Sequence, residues 1–525
     1  MDFWLYVLLI LSFFVSFGFW ELQMTHMFQL NSYKPDVQFK WLCKNMRSVL
    51  PKWIISLSII PIIIFLHKSH NSIGLTVAAV IFIILAYVNK PTTTAKKPLI
   101  YTNRVKRLLL TGIIIELAIV AIAIIFREHN HRIALSVLLT TGYIATPFIT
   151  FAANFINMPI EKSINRRFIN DAKRIIKSMP DLTVIGITGS YGKTSVKYYL
   201  TKLLSEKYNV LMTPESYNTT LGVVRTIREN LRATHEVFVC EMGARNIGDI
   251  KEICDIVHPK YGIITAIGPQ HLESFKTLDN IKKTKFELAN SLPNNGIAFL
   301  NGDDENIKSV SYNGSSITYG LDGNGNYTAF NLSLSSAGTS FYVRTPSGET
   351  AEFSTRLIGR HNVLNVIGAI AVAHTLGISL VSLKMPVKKL EPAPHRLQLI
   401  NNGSDLIIDD AYNSNPNGSR VALNTLSMFE GTKILVTPGM VELGDKQDEY
   451  NCEFGENAAN VCDFVILVGE KQTESIYKGL LNKKYSQQKI FVVDAIQDAF
   501  SVIHNKLNGN EKKIILLEND LPDNF

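Results

Sequence analysis

The sequence predicts an α-helical membrane region followed by a two-domain α/β protein, and three observations predict it. Five apolar runs crowd into residues 1–155 of the 525. From about residue 180 onward, short β-branched runs alternate with segments of helical spacing. A strand, a glycine-rich turn and a helix open that second part. The hydrophobic fraction of 46% is therefore an average over two unlike regions, and the length exceeds one ordinary domain.

The apolar runs are Phe3–Trp20, Trp53–Leu66, Ile73–Val88, Leu108–Phe126 and Ile133–Phe151. Crossing the hydrocarbon core takes about 20 apolar residues. The first, fourth and fifth runs approach that length. The second and third are shorter, and Pro61 interrupts the second, so these two read as crossings or as a re-entrant pair. The first run has no basic segment before it and no small-residue cleavage site before Glu21, which reads as a retained helix and not a signal peptide. Lysine and arginine gather in the loops at 21–52 and 89–107, and again at Lys162, Arg166, Arg167, Lys173, Arg174 and Lys177. That asymmetry places both loops and everything after residue 155 in the cytoplasm, with the N-terminus outside and an odd number of crossings. The net charge of +8 is thus assigned largely to membrane flanks, and no nucleic-acid partner is expected. Glu116 alone puts a charge near the middle of a run. An acid there is a functional candidate, but one acid does not define a transport path, and a plain anchor is the competing reading. The five cysteines are scattered without a CxxC pair, which suits a reducing cytosol better than a disulfide framework or a zinc site.

The soluble part begins with Leu182–Thr188, a run suited to a buried parallel strand. Gly189-Ser-Tyr-Gly-Lys-Thr-Ser195 follows, then Val196–Leu204 with helical spacing. This is a phosphate-binding arrangement, in which backbone N–H groups and a helix N-terminus cradle phosphate oxygens. Gly189, Ser190, Gly192 and Ser195 belong to that cradle. Lys193 is positioned to neutralise terminal phosphates and Thr194 to ligate magnesium. Ile187 stands where the longer consensus has its first glycine. Glu241 ends the apolar run Val237–Cys240, which places it at the C-terminal end of a strand, where open α/β sheets bind ligands.

Further segments follow in order: Asn218-Thr-Thr-Leu-Gly222, Glu241-Met-Gly-Ala244, Ile267–Glu273 around His271, Lys285-Phe-Glu287, Asn301-Gly-Asp-Asp304, Gly359–Asn365, Arg396, Asp409–Pro416 and Gly439–Gly444. Their order and spacing, with the short TGSxGKTS form of the loop, resemble the Mur ligases over about residues 180–470. The closest resemblance is to the branch that adds D-alanyl-D-alanine to UDP-MurNAc-tripeptide.

The resemblance implies a Mur-ligase-like ATP-binding central domain at 180–394 and a smaller Rossmann-like C-terminal domain at 395–525, after a membrane region at 1–155 and a basic linker at 156–179. It implies ATP and two Mg²⁺ as cofactors, one ion on Thr194 and Glu241, the other on His271 and a carbamylated Lys285. Read without the resemblance, Lys285 is a solvated helix lysine and His271 an ordinary loop residue. The resemblance further implies nucleotide contacts from Asn301, Asn362, Asn365, Arg396 and Asp410. It implies substrate contacts from Asn218, Tyr412, Asn413 and Asn415. An insert near 305–356 reads as hairpins, with Leu321-Asp-Gly-Asn-Gly-Asn326 as one turn.

Two departures bear on substrate. Membrane segments stand where the soluble ligases of this branch hold the UDP-sugar, and Ile515–Pro522 stands where the family has a lysine-glycine-serine segment near the dipeptide. The implied activity is an ATP-dependent, ADP-forming amide ligase at the cytoplasmic face of a membrane, with a UDP- or lipid-linked peptidoglycan precursor and an amino-acid or dipeptide amine as partners. A ligase for another envelope polymer, such as a poly-γ-glutamate-like chain, and a membrane-anchored P-loop ATPase are the alternatives.

Overall fold

The computed structural model describes residues 2–66, 71–90, 98–125, 131–215, 217–270, 272–403, 405–412, 415–507 and 511–520. His271 and Asn413 lie outside the described residues. The chain divides into two compact units, residues 1–166 and residues 167–521.

The first unit is helical: α1 (Asp2–Leu30), α2 (Pro35–Lys44), α3 (Met46–Leu57), α4 (Ile59–Leu66), α5 (Asn71–Asn89), α6 (Asn103–Ile125) and α7 (His131–Lys177). Its interior is aromatic. Phe13 and Phe82 meet edge to face with centroids 5.4 Å apart, and Trp20 lies 4.5 Å from Tyr143. Its outside is also apolar, with Trp4, Phe65, Tyr87 and Phe155 at 72–83% exposure, the opposite of a water-facing helical bundle. Among the described residues, three helical stretches are long and apolar enough to cross a membrane by length and composition: Trp4–Leu30, Ser72–Asn89 and Val137–Lys177. The second apolar run does not form one helix. It breaks at Ser58 between α3 and α4. Most of the basic segment at 156–179 is helical: α7 continues to Lys177, with Pro147 and Pro159 inside it.

The second unit opens with β1 (Thr183–Thr188), α8 (Lys193–Leu204), β2 (Val210–Met212), α9 (Thr220–Asn230), β3 (Val237–Glu241), α10 (Asp249–Val257), β4 (Tyr261–Ile264), α11 (Leu272–Phe275), α12 (Leu278–Asn290), β5 (Ile297–Asn301) and α13 (Glu305–Lys308). Then come β6 (Ser316–Leu321), β7 (Tyr327–Ser335), β8 (Gly338–Arg344), β9 (Thr350–Thr355), α14 (Arg360–Thr375) and α15 (Leu380–Lys388). The sheet runs β2-β3-β1-β4-β5-β6-β7-β8-β9. It is parallel as far as β7 and antiparallel beyond. β1 and β3 lie side by side in parallel, third and second from the β2 end of the sheet, so the turn after β1 and the end of β3 emerge at the same edge.

The turn at 321–326 corrects the hairpin expectation. β6 and β7 pair in parallel, and the hairpins are β7–β8 and β8–β9. Asp322 and Gly323 take positive φ, and Asn326 Oδ1 accepts from Thr318 N at 2.8 Å. The chain is thereby led back toward the start of β6 before β7 begins.

The remaining elements are β10 (Gln398–Asn402), β11 (Asp405–Asp410), α16 (Pro416–Ser427), β12 (Thr432–Thr437), α17 (Gln447–Ala459), β13 (Phe464–Val468), α18 (Glu474–Asn482), β14 (Ile490–Val493), α19 (Ile496–Lys506) and β15 (Lys513–Glu518). The sheet order is β10-β11-β15-β12-β13-β14, parallel except for the antiparallel edge strand β10. β15, almost the last described segment, sits between β11 and β12.

Candidate active site

The site is built on the turn between β1 and α8. Gly192 caps α8 with φ +79°, and a Cβ there would lie 2.7 Å from Asn365 Oδ1. Glycine is therefore required both by conformation and by the approach of α14. Ser190 ties the turn to the loop after β4: its N–H donates to Ala266 O at 2.6 Å and its hydroxyl donates to Gly268 O at 3.0 Å. The Lys193 ammonium folds over the turn, donating to Gly189 O at 2.7 Å and Ser190 O at 3.2 Å. Burial lowers its pKa to about 8, against the opposing pull of Glu241 and with help from the like charge of Arg396.

Glu241 is the acidic centre, 1% exposed. Thr194 Oγ1 donates to its Oε1 at 3.2 Å, and Asn218 Nδ2 donates to the same oxygen at 3.0 Å. Lys197, one turn beyond Lys193 on α8, forms an ion pair with Oε2 at 3.1 Å. Lys197 also donates to Glu215 O. The sequence reasoning overlooked Lys197, although its i+4 relation to Lys193 puts both on one helix face.

Lys285 lies in α12, 3% exposed, with its ammonium nitrogen 6.0 Å from the Phe275 ring centroid. Among the described residues no carboxylate forms a salt bridge with it. Burial, then repulsion from Lys193, pushes its pKa well below the usual lysine range. Lys285 is buried, unlike the solvated lysine of the simplest reading.

A second cluster comes from the C-terminal sheet. Arg396 Cζ lies 4.5 Å from the Tyr412 ring centroid. Asp410 ends β11 and accepts from Leu397 N at 3.2 Å. Burial raises its pKa to about 6, opposed by Arg396. His395 and Leu397, on either side of Arg396, both have positive φ. His395 Nδ1 pairs with Asp409 Oδ2 at 2.7 Å, so the bend that presents Arg396 is pinned to β11.

Other named residues have structural partners. Asn301 Nδ2 donates to Thr265 O at 2.7 Å, and its Oδ1 accepts from Asp303 N. Asn362 accepts from Tyr199 Oη at 2.9 Å and donates to Ile358 O. Ser195 engages the same tyrosine. Asn415 caps α16 by accepting from Gly418 N at 2.8 Å.

Thr194 Oγ1 and the Glu241 carboxylate present oxygen ligands that suit a hard divalent cation. Among the described residues no group of three or more His, Cys, Asp or Glu side chains converges.

Comparison with known proteins places these features. Residues 187–373 match the Mur ligase middle domain, and residues 395–517 match the Mur ligase, glutamate ligase domain. The chain is 34% identical over 301 residues to a UDP-N-acetylmuramoyl-tripeptide--D-alanyl-D-alanine ligase of Escherichia coli, covering 56% of this chain and 66% of that one. A protein of the same name from Buchnera aphidicola is 30% identical, with 57% of this chain and 68% of the relative covered. The chain spans just under two thirds of the length of the E. coli relative. Among solved structures, a MurF ligase of Thermotoga maritima in complex with ADP aligns with TM-score 0.60 and 26% identity, over 68% of this chain and 80% of that one.

Proposed function

The chain belongs to the Mur ligase family, and from that premise we propose that it is an ATP-dependent, ADP-forming amide ligase acting on a peptidoglycan precursor at a membrane. The amine is D-alanyl-D-alanine or a close relative. One observation carries the reading: Glu241, at the end of β3, is held by Thr194 and Asn218 beside the Lys193 turn. An acid needing activation and a nucleotide's terminal phosphates meet at such an edge.

In the proposed reaction the acceptor carboxylate attacks the γ-phosphorus and ADP leaves. The amine then attacks the acyl phosphate, expelling inorganic phosphate and losing a proton. The turn's N–H groups and Lys193 bind and orient the phosphates. Arg396 brings a guanidinium to the transferring oxygens from the C-terminal sheet, which we read as Rossmann-like. Thr194 and Glu241 are the residues to hold Mg²⁺, which when bound supplies charge neutralisation for phosphoryl transfer. Lys197 would compete with an ion held there for the Glu241 carboxylate.

Lys285, buried and with its pKa pushed down, has the chemistry to take up CO₂ as a carbamate. That carbamate, with His271, is the proposed second magnesium position. The three membrane-length helices among the described residues support a multi-pass location, and the basic flanks support a cytoplasmic side for everything after residue 155. The helices also favour a lipid-linked acceptor over a UDP-linked one.

The test is ADP release by the full-length protein in detergent, pairing each acceptor with each amine of a panel that includes D-alanyl-D-alanine and glutamate. Release that requires both partners supports the ligase, and the productive pair identifies the substrates. Release independent of acceptor and amine, or none with any pair, overturns it.

A further inference from the structure

The membrane unit holds two acids that the ligase reading leaves unused. Glu21 on α1 and Glu116 on α6 are 1% and 0% exposed. Each fills a notch left by a glycine on a facing helix. A Cβ at Gly112 on α6 would collide with Glu21 Oε1, and a Cβ at Gly142 on α7 would collide with the Glu116 carboxyl. Gly112 and Glu116 are four residues apart and share one face of α6, as neighbours about 5–6 Å apart. The two carboxyls therefore occupy adjoining notches along a seam of α1, α6 and α7. Glu21 Oε1 and both oxygens of Glu116 have no hydrogen-bond partner.

Among the described residues, the surroundings add unpaired oxygens and no cation that pairs with either acid. Thr25 lies four residues after Glu21 on α1, and Thr140 lies three residues before Tyr143 on α7. Both hydroxyls are fully buried and unpartnered, and Thr25 shares the Glu21 face of α1. Asn89 on α5 donates to Tyr143 Oη at 2.7 Å and leaves its own Oδ1 unpaired. The neighbouring base on α3, Lys52, is directed elsewhere: it donates to Gln23 Oε1 at 3.1 Å and lies 5.6 Å from the Trp20 ring centroid. His26, further along α1, has contacts of its own. Glu161 provides the contrast within the same unit, because Arg107 Nη2 pairs with it at 2.7 Å. An ionised carboxylate taken out of water without a partner is costly, and two side by side are worse. Buried, unpaired acids among apolar helices are functional-site candidates.

We infer that Glu21 and Glu116 form a monovalent-cation site in the membrane unit, taking protons or, in exchange for them, an alkali-metal ion. Either occupant neutralises the pair, and the unpartnered Thr25 hydroxyl, on the same face of α1 as Glu21, offers a further oxygen. The site is independent of the ligase reading and stands if that reading fails.

Dicyclohexylcarbodiimide tests it, because this apolar reagent forms a stable N-acylurea on carboxyls protonated in apolar surroundings. The full-length protein in detergent is labelled across the neutral pH range in choline, sodium, potassium or lithium chloride, and the adduct is located by peptide mass spectrometry. The expected result is label on Glu21 or Glu116, well above that on Glu161. Label insensitive to the salt identifies protons as the occupant. Suppression by one alkali ion relative to choline identifies that ion. Glu116→Gln keeps the volume and removes the neighbouring charge, so the labelling of Glu21 is expected to fall off at lower pH than in the parent. Gel-filtration volume and tryptophan fluorescence confirm that the variant is folded. Equal labelling of Glu161, absence of label from both Glu21 and Glu116 in every salt, or a Glu21 profile unmoved by Glu116→Gln would each overturn the inference.

Discussion

Raising the pH is expected to weaken nucleotide binding through Lys193 alone, and the size of the effect follows from its surroundings. Its ammonium is ordinarily half-titrated at 10.5, and enclosure in the turn lowers that to about 8. The difference corresponds to roughly 3 kcal/mol of electrostatic work, at about 1.4 kcal/mol per pH unit. Bound phosphate restores a counter-charge and returns the group toward its ordinary range. The dissociation constant for a non-hydrolysable Mg-nucleotide is therefore expected to be flat below about pH 8. Above it, the constant rises up to tenfold per pH unit, toward a total of roughly 300-fold. Loss of fold does not mimic this. A lysine whose folded value is depressed binds fewer protons folded than unfolded, so its contribution to stability grows between pH 8 and 10.5. Isothermal titration at a series of pH values, with Lys193→Met as the flat reference, measures it. A constant unchanged from pH 7 to pH 9.5, or a Met variant with the parent's pH profile, refutes the reasoning.

Three further outcomes are expected. Gly192→Ala places a side chain at φ +79° against Asn365; it costs about 1–2 kcal/mol in backbone strain and abolishes nucleotide binding while circular dichroism stays native, and wild-type affinity would contradict it. Lys197→Met strips the partner from a Glu241 carboxylate that is 2% exposed. Stability falls by about 3–5 kcal/mol and Mg²⁺ recovers part of the loss in a thermal melt, whereas a melt matching the parent with and without Mg²⁺ argues against the pair. Tyr199→Phe leaves Asn362 Oδ1 without its donor and lowers stability by about 1–3 kcal/mol, read by urea unfolding; an unchanged midpoint would remove Tyr199 as the brace between α8 and α14.

Much of the site was readable in the sequence because its chemistry is local. The Lys193 turn is one contiguous stretch whose glycines, lysine and flanking strand and helix determine the geometry together. Glu241 was readable because an acid ending an apolar run must emerge at a strand end. What remained hidden depends on residues distant in the chain. The role of Lys197 appears only once β3 is laid beside β1, which brings Glu241 over α8. Asn301, Asn362 and Asn415, picked out for ligand contacts, already have backbone or tyrosine partners, because buried amides must be satisfied wherever packing leaves them.

The sequence by itself determined the division into an apolar helical part and an α/β part, the phosphate-binding turn, and the strands ending at Glu241 and Asp410. Hydrophobic period and turn chemistry act over a few residues and need no partner. Only the tertiary structure decided that β6 and β7 run parallel across an apparent hairpin turn, that β15 enters the middle of its sheet, and that Glu21 and Glu116 fill neighbouring notches. Strand order and helix seams are set by which buried surfaces fit together. That fit depends on side chains far apart in the chain, and no local pattern encodes it.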